Sequence, residues 1–190
     1  MFNRCPISIQ QLSARAYASW SLYLLANRRK LACMLLILGI FSIILSSTYQ
    51  QYRHFNLRHN LGVGDAAYYL SMAEGNYNVT PIARYRFVIP LLAGILSRLI
   101  EPLLGNASTH SSLLLSFYIL GLLFATCNAV IFLLLCKSFG LSFTGSLLAF
   151  LGLVTSRTFI ITTATPHVDS LFFLAICLCI FLYVHSNVRL

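Results

Sequence analysis

The sequence predicts an all-α fold, a polytopic transmembrane helix bundle, and three observations carry that prediction. Hydrophobic residues make up 58% of the chain and charged residues only 9%, against roughly 25% charged in a soluble domain. The apolar residues fall in long runs, and a bilayer core of roughly 30 Å needs about 20 helical residues. The polar residues collect in a basic start and two later islands. The pattern gives about four to five membrane helices, with a short surface helix in the first external loop. At 190 residues the length is that of one domain.

The net charge of +9 is not the footprint of a nucleic-acid binder, which clusters Lys and Arg on one solvated face. Five of the thirteen basic residues (Arg4, Arg15, Arg28, Arg29, Lys30) precede residue 31. Residues 1–30 therefore read as a basic segment held in the cytoplasm by the positive-inside rule. The apolar stretch 17–27 is as long as a signal-peptide core, but RRK stands where a cleavage site belongs. It reads as an interfacial helix on the cytoplasmic surface, or as a disordered basic tail. Residues 31–190 form the transmembrane domain.

The first span is expected over residues 31–49, running outward. The polar stretch 50–86 follows as the first external loop. Four apolar runs come next: 87–100, 112–136, 141–154 (extendable through 158–161) and 171–185. If 87–104 crosses, Asp65 and Asp169 face opposite compartments. If it is re-entrant or interfacial, they share a side. Lys137 mildly favours the second arrangement, because positive charge belongs in the cytoplasm. Cys33, Cys127, Cys136, Cys177 and Cys179 lie in apolar runs, where cysteine acts as a small hydrophobe. None has zinc-ligand spacing with histidines.

The loop GDAAYYLSMAEG (64–75) reads as a short helix, with Asp65 as N-cap and Gly75 as its stop. Ala66, Tyr69, Leu70 and Ala73 form one apolar stripe, expected to lie against the outer membrane surface. Asp65 then has two compatible readings: a cap, or a carboxylate positioned to take a proton. Arg84 and Arg86 flank Tyr85 before the next apolar run. An arginine fork suits phosphate, and Arg with Tyr also anchors helices at headgroups. Glu74 reads as a surface acid.

The second island, TTATPHVDS (162–170), holds His167 and Asp169. Ionisable groups near membrane depth are costly and carry function or are paired. The alternative is an interfacial turn at Pro166 and His167, with Asp169 capping the last helix.

These segments (GDAAYYLSMAEG, PIARYRFVIPLLAGILSRL and KSFGLSFTGSLLAFLGLVTSRTFIITTATPHVDSLFF) resemble the N-terminal part of GT-C-fold glycosyltransferases, the superfamily of protein mannosyltransferases and aminoarabinose transferases. The resemblance implies an integral membrane enzyme of the bacterial inner membrane. It would transfer sugar from a polyprenyl-phosphate donor to an unknown acceptor on the external face, inverting the anomeric carbon. Asp65 would be the catalytic base. Arg84 and Arg86 would sit near the lipid phosphate, with Tyr69, His167 and Asp169 binding substrate. In some relatives the second acid helps hold a divalent metal ion, which makes Asp65 and Asp169 a metal alternative. One aspartate stands where some members carry paired acids. Members are several hundred residues long with more spans. This implies a truncated product, inactive alone, a split protein whose partner chain supplies the C-terminal half, or a small relative that lacks the acceptor-binding half. The competing expectation is a non-catalytic polytopic subunit or scaffold.

Overall fold

The computed structural model describes residues 9–55, 65–104 and 109–187. Eight helices are present among them: α1 (Ile9–Arg53), α2 (Ala66–Ala73), α3 (Pro81–Arg84), α4 (Val88–Leu104), α5 (Thr109–Ser138), α6 (Phe143–Thr155), α7 (Arg157–Ala164) and α8 (Asp169–Asn187). No strand occurs among the described residues. The chain divides into two compact units, Met1–Gly39 and Ile40–Leu190. The first unit is described only as helix, and the second holds all the packing below.

Three helices are long and apolar enough to cross a membrane: Lys30–Arg53, Ser111–Ser138 and Asp169–Ser186. A fourth crossing follows if α6 and α7, bent by 58° at their junction, count as one broken span. The helical membrane class therefore stands, with three to four spans rather than four to five. α4, at 17 residues, is not among them.

At the start of the chain, residues 17–27 are helical and continue without a break into the span as part of α1. RRK contains no helix breaker, and Arg and Lys are good helix formers.

α2 also corrects an expectation. Asp65 occupies the N-cap position but makes no side-chain cap bond, and its backbone is already helical (φ −81°, ψ −14°). A capping side chain needs the extended backbone that Ser142 and Ser156 adopt at their caps. Gly75 ends the helix as expected. Its φ of +97° lets Gly75 N–H reach the Met72 carbonyl at 3.0 Å and Asn76 N–H reach the Ser71 carbonyl at 3.0 Å. Those two bonds are the Schellman pattern.

The stripe Ala66, Tyr69, Leu70, Ala73 is buried, but against protein rather than lipid. Tyr69, Leu70 and Ala73, with Met72, join Ile89 and Ala93 of α4 and Leu113 and Phe117 of α5 in one cluster. α4 presents Ile89, Pro90, Ala93, Gly94 and Ser97 on one buried face. Gly94 allows the closest approach, because a β-carbon there would collide with the Ala73 carbonyl.

A second cluster joins Ile40 and Ile44 of α1 to Tyr118, Leu122, Ala125 and Ala129 of α5, Phe150 and Val154 of α6, and Ala164 of α7. Tyr118 supplies its polar end. Its hydroxyl lies 3.0 Å from Thr48 Oγ1, and its ring stacks on Tyr52 at 4.2 Å. The expected single run 141–161 breaks at Ser156, which is extended and ends α6 while starting α7. Its hydroxyl donates to the Leu153 carbonyl and accepts from Phe159 N–H. One side chain thus serves both freed helix ends, which is what a broken helix in an apolar setting requires.

Candidate functional site

The site begins with Tyr69. Its position on the buried face of α2 leaves it 1% exposed, and a buried phenol finds a partner. That partner is Arg86, whose Nη1 donates to Tyr69 Oη at 3.3 Å. Arg86 follows the one-turn helix α3, where Pro81 at the first turn presets the backbone. The turn closes by Arg86 N–H bonding the Ala83 carbonyl at 2.9 Å, which puts Arg86 just ahead of α4.

From the far end of the chain α8 brings Asp169. It is the first residue of α8, not a cap, and an acid in the first turn suits the helix dipole. Asp169 Oδ1 lies 3.5 Å from Arg86 Nη1, and Oδ2 lies 3.5 Å from His167 Nδ1. The His167 ring in turn faces the Tyr69 ring at 6.5 Å, tilted by 59°. The island holding His167 is packed within the protein. Thr163, Ala164, Thr165, Pro166 and Val168 are all buried, so the protein itself fixes it.

Tyr69, His167, Arg86 and Asp169 thus form one connected cluster, with side-chain exposures of 46% for Arg86, 34% for Asp169 and 16% for His167. Asp65 joins it through its field. Both aspartates act on the Tyr69 phenol, the Arg86 guanidinium and the His167 imidazole. Such convergence brings the two polar islands together at one place in the fold. It also agrees with a span count that omits α4, in which α5 and the broken pair separate the aspartates.

Burial pushes the Tyr69 phenol up, and its bond from Arg86 only partly offsets that. Burial also pulls His167 below its ordinary 6.5, against the opposing pull of Asp169 and Asp65. Arg86 is held upward, first by the Tyr69 hydrogen bond. Burial thus favours the neutral form of His167, and the bond to Tyr69 favours the charged form of Arg86.

Arg86 and Asp169 stand in the wall of a cleft of about 580 Å³. Tyr85 lines it too, and its other walls are apolar, chiefly Val88 and Ile89 from the start of α4 and Leu171, Phe172 and Ala175 from α8. The contacts of Arg86 with Tyr69 and Asp169 both fall on Nη1. A guanidinium carries five N–H donors, so donors remain beyond those two contacts.

Arg84 does not join the cluster. It is exposed, and its Nη2 reaches only the Val79 carbonyl at 3.5 Å within its own loop. Among the described residues, no group of three or more His, Cys, Asp and Glu side chains gathers as a metal set. Both Asp169 oxygens are turned to Arg86 and His167. That donor set does not fit a divalent ion, and no step below runs through one.

Sequence reasoning passed over Asn128 and Ser170. Both are buried, and Asn128 Nδ2 donates to the Ser170 carbonyl at 3.0 Å. A single Asn inside the apolar run LLFATCNAVIFLLL was the available signal, since polar groups in membrane helices seek partners.

No protein-family model matches the chain, and neither a curated protein nor a solved structure matches it.

Proposed function

We propose that the chain is the N-terminal part of a GT-C-type membrane glycosyltransferase, acting on a polyprenyl-phosphate sugar at the external membrane face. The supporting observation is Arg86 standing, beside Asp169, at the wall of an otherwise apolar cleft. A prenyl chain needs apolar walls, and its phosphate needs a fixed cation with directed donors. The cleft offers both.

In this reading the acceptor hydroxyl attacks the anomeric carbon and gives its proton to Asp65, whose carboxylate is not spent on capping α2. The bond from that carbon to the phosphate oxygen breaks. The polyprenyl phosphate leaves with the bonding electrons, and its negative charge is stabilised by Arg86. Tyr69 and Asp169 hold Arg86 in place from two elements. His167 orients Asp169. The N-terminus lies in the cytoplasm, in the inner membrane of a bacterium, and a partner chain completes the acceptor side.

The test is binding of undecaprenyl phosphate to the full chain in lipid nanodiscs, by native mass spectrometry. Arg86→Gln is expected to weaken binding by about tenfold or more, the worth of one charged hydrogen bond. Equal binding by both forms sinks the proposal. A second reading, a non-catalytic subunit, draws on the same Nη1 contacts: Arg86 then serves only to tie α2 to α8. It predicts no lipid-phosphate binding, and a loss of thermal stability in Arg86→Gln.

A further inference from the structure

A second cavity lies on the other side of the first turns of α8, bounded by α5 and by the broken pair α6 and α7. Its volume is about 240 Å³. It shares one wall residue, Phe173, with the cleft at Arg86. Its lining contains no acidic or basic side chain. The walls are Ala125, Phe132, Leu153, Phe159, Phe173 and Cys177, with hydroxyls from the α6–α7 break.

Two of its lining residues carry an unmet need. Asn128 and Ser170 are 7% and 4% exposed. Asn128 Oδ1 and Ser170 Oγ are buried with no hydrogen-bond partner, although Asn128 Nδ2 is satisfied. A buried polar atom left unpaired is costly, and each one in a native structure calls for an explanation. Asn128 Oδ1 only accepts, so whatever meets it must bring a donor. Water alone fits poorly. The volume would take roughly eight waters at ~30 Å³ each, and each needs two to four polar partners. The walls are mostly apolar.

α8 forms one wall, and only 6% of its membrane-length stretch is buried within the protein. An apolar molecule suits such walls, and no fixed charge meets it in the cavity.

We infer that this cavity, between α5, α7 and α8, binds an uncharged lipid alcohol: an apolar chain against Phe132, Phe159 and Phe173, with its hydroxyl donating to Asn128 Oδ1 and meeting Ser170 Oγ. The inference does not rest on the glycosyltransferase reading, because it concerns a different room and requires no transfer step. The two rooms divide lipid headgroups by charge, phosphate at Arg86 and hydroxyl at Asn128.

The experiment uses the full chain in lipid nanodiscs and Cys177 as reporter. Alkylation by N-ethylmaleimide is followed by peptide mass spectrometry, with exposed Cys179 as internal control. Native mass spectrometry counts bound probe independently. Dodecanol is expected to slow Cys177 alkylation and leave Cys179 unchanged. Dodecyl methyl ether, which cannot donate, and dodecyl phosphate, which is charged, are expected to do neither. Ser170→Ala, which removes a hydroxyl without a partner and leaves the helix-tethering carbonyl, is expected to raise the half-protecting dodecanol concentration about fivefold, the worth of one hydrogen bond. The inference is overturned by protection from the ether equal to that from the alcohol, which is apolar partitioning alone. It is equally overturned by protection from dodecyl phosphate, by unchanged protection in Ser170→Ala, or by dodecanol neither protecting nor being retained. The comparison of alcohol with ether decides the matter on the unaltered chain even where a variant fails to fold.

Discussion

The two rooms flanking the start of α8 are built by the same means and finished with opposite chemistry. In each, a glycine lets two backbones touch. Gly94 admits the Ala73 carbonyl beside the Arg86 cleft, and Gly121 admits the Thr163 carbonyl beside the Asn128 cavity. In the first room every charged group has a partner: Arg86 with Tyr69 and Asp169, and Asp169 with His167. In the second room no group is charged, and two neutral oxygens are left over. The difference follows from how costly each kind of vacancy is. An unpaired buried charge is far more costly than an unpaired hydroxyl or amide. A resting protein therefore pairs its charges internally, and it can leave neutral oxygens waiting.

The largest expected effect separates the rooms by chemistry. Asp65→Asn should lower sugar transfer by about 10²- to 10⁴-fold, the range for losing a general base, while undecaprenyl phosphate binding stays unchanged. A radiolabelled transfer assay beside the binding measurement reads both. A parallel loss of binding would mean that Asp65 holds the site together rather than taking a proton.

Next come the glycines. Gly94→Ala and Gly121→Ala should each cost about 1–3 kcal/mol, the usual penalty of overpacking, read as thermal melting in nanodiscs. The sharper outcome is selectivity. Gly94→Ala displaces α2 and with it Tyr69, so it should weaken lipid-phosphate binding and spare Cys177 protection. Gly121→Ala should do the reverse. Variants that damage both rooms equally would show that α8 couples them.

A smaller effect tests the charged room by pH. Burial holds folded His167 below its ordinary 6.5. The unfolded chain then takes up the proton first as pH falls. The stability linked to His167 is fully present above about 6.5 and is lost as pH falls through the lowered value. Melting temperature should drop on acidification across that window, and His167→Gln should flatten the drop. Nothing in the neutral room titrates there, so Asn128→Leu should leave the slope alone.

The smallest effect is Ser170→Ala without added alcohol. Removing a hydroxyl with no partner should leave melting unchanged or raise it by at most about 1 kcal/mol. A loss of more than that would show that Ser170 Oγ is bonded in the resting protein.

Much of this molecule was legible in its sequence, for a physical reason. Composition and run length are additive, so 58% apolar residues in spans of helical length settle the class without tertiary knowledge. Gly75 as a helix stop and the need of the two polar islands for partners were equally readable, because φ preference and the cost of charge are local properties. Direction was not readable. Tyr69, Leu70 and Ala73 were correctly placed on one stripe, yet an apolar stripe does not say whether lipid or protein covers it. α4 and α5 decided that. The cap reading of Asp65 failed because a helix can begin on helical backbone, and then the side chain cannot turn back. The break at Ser156 carries neither Gly nor Pro, so no breaker in TSRT announced it. The pairs Arg86–Asp169 and Asn128–Ser170 join residues far apart in the chain, and only packing around α5 and α8 brings them together. The sequence determined that this is a helical membrane protein with two polar islands that need partners. The tertiary structure decided which partners they found, because a side chain's cost is fixed by its own chemistry but its remedy depends on what the fold places beside it.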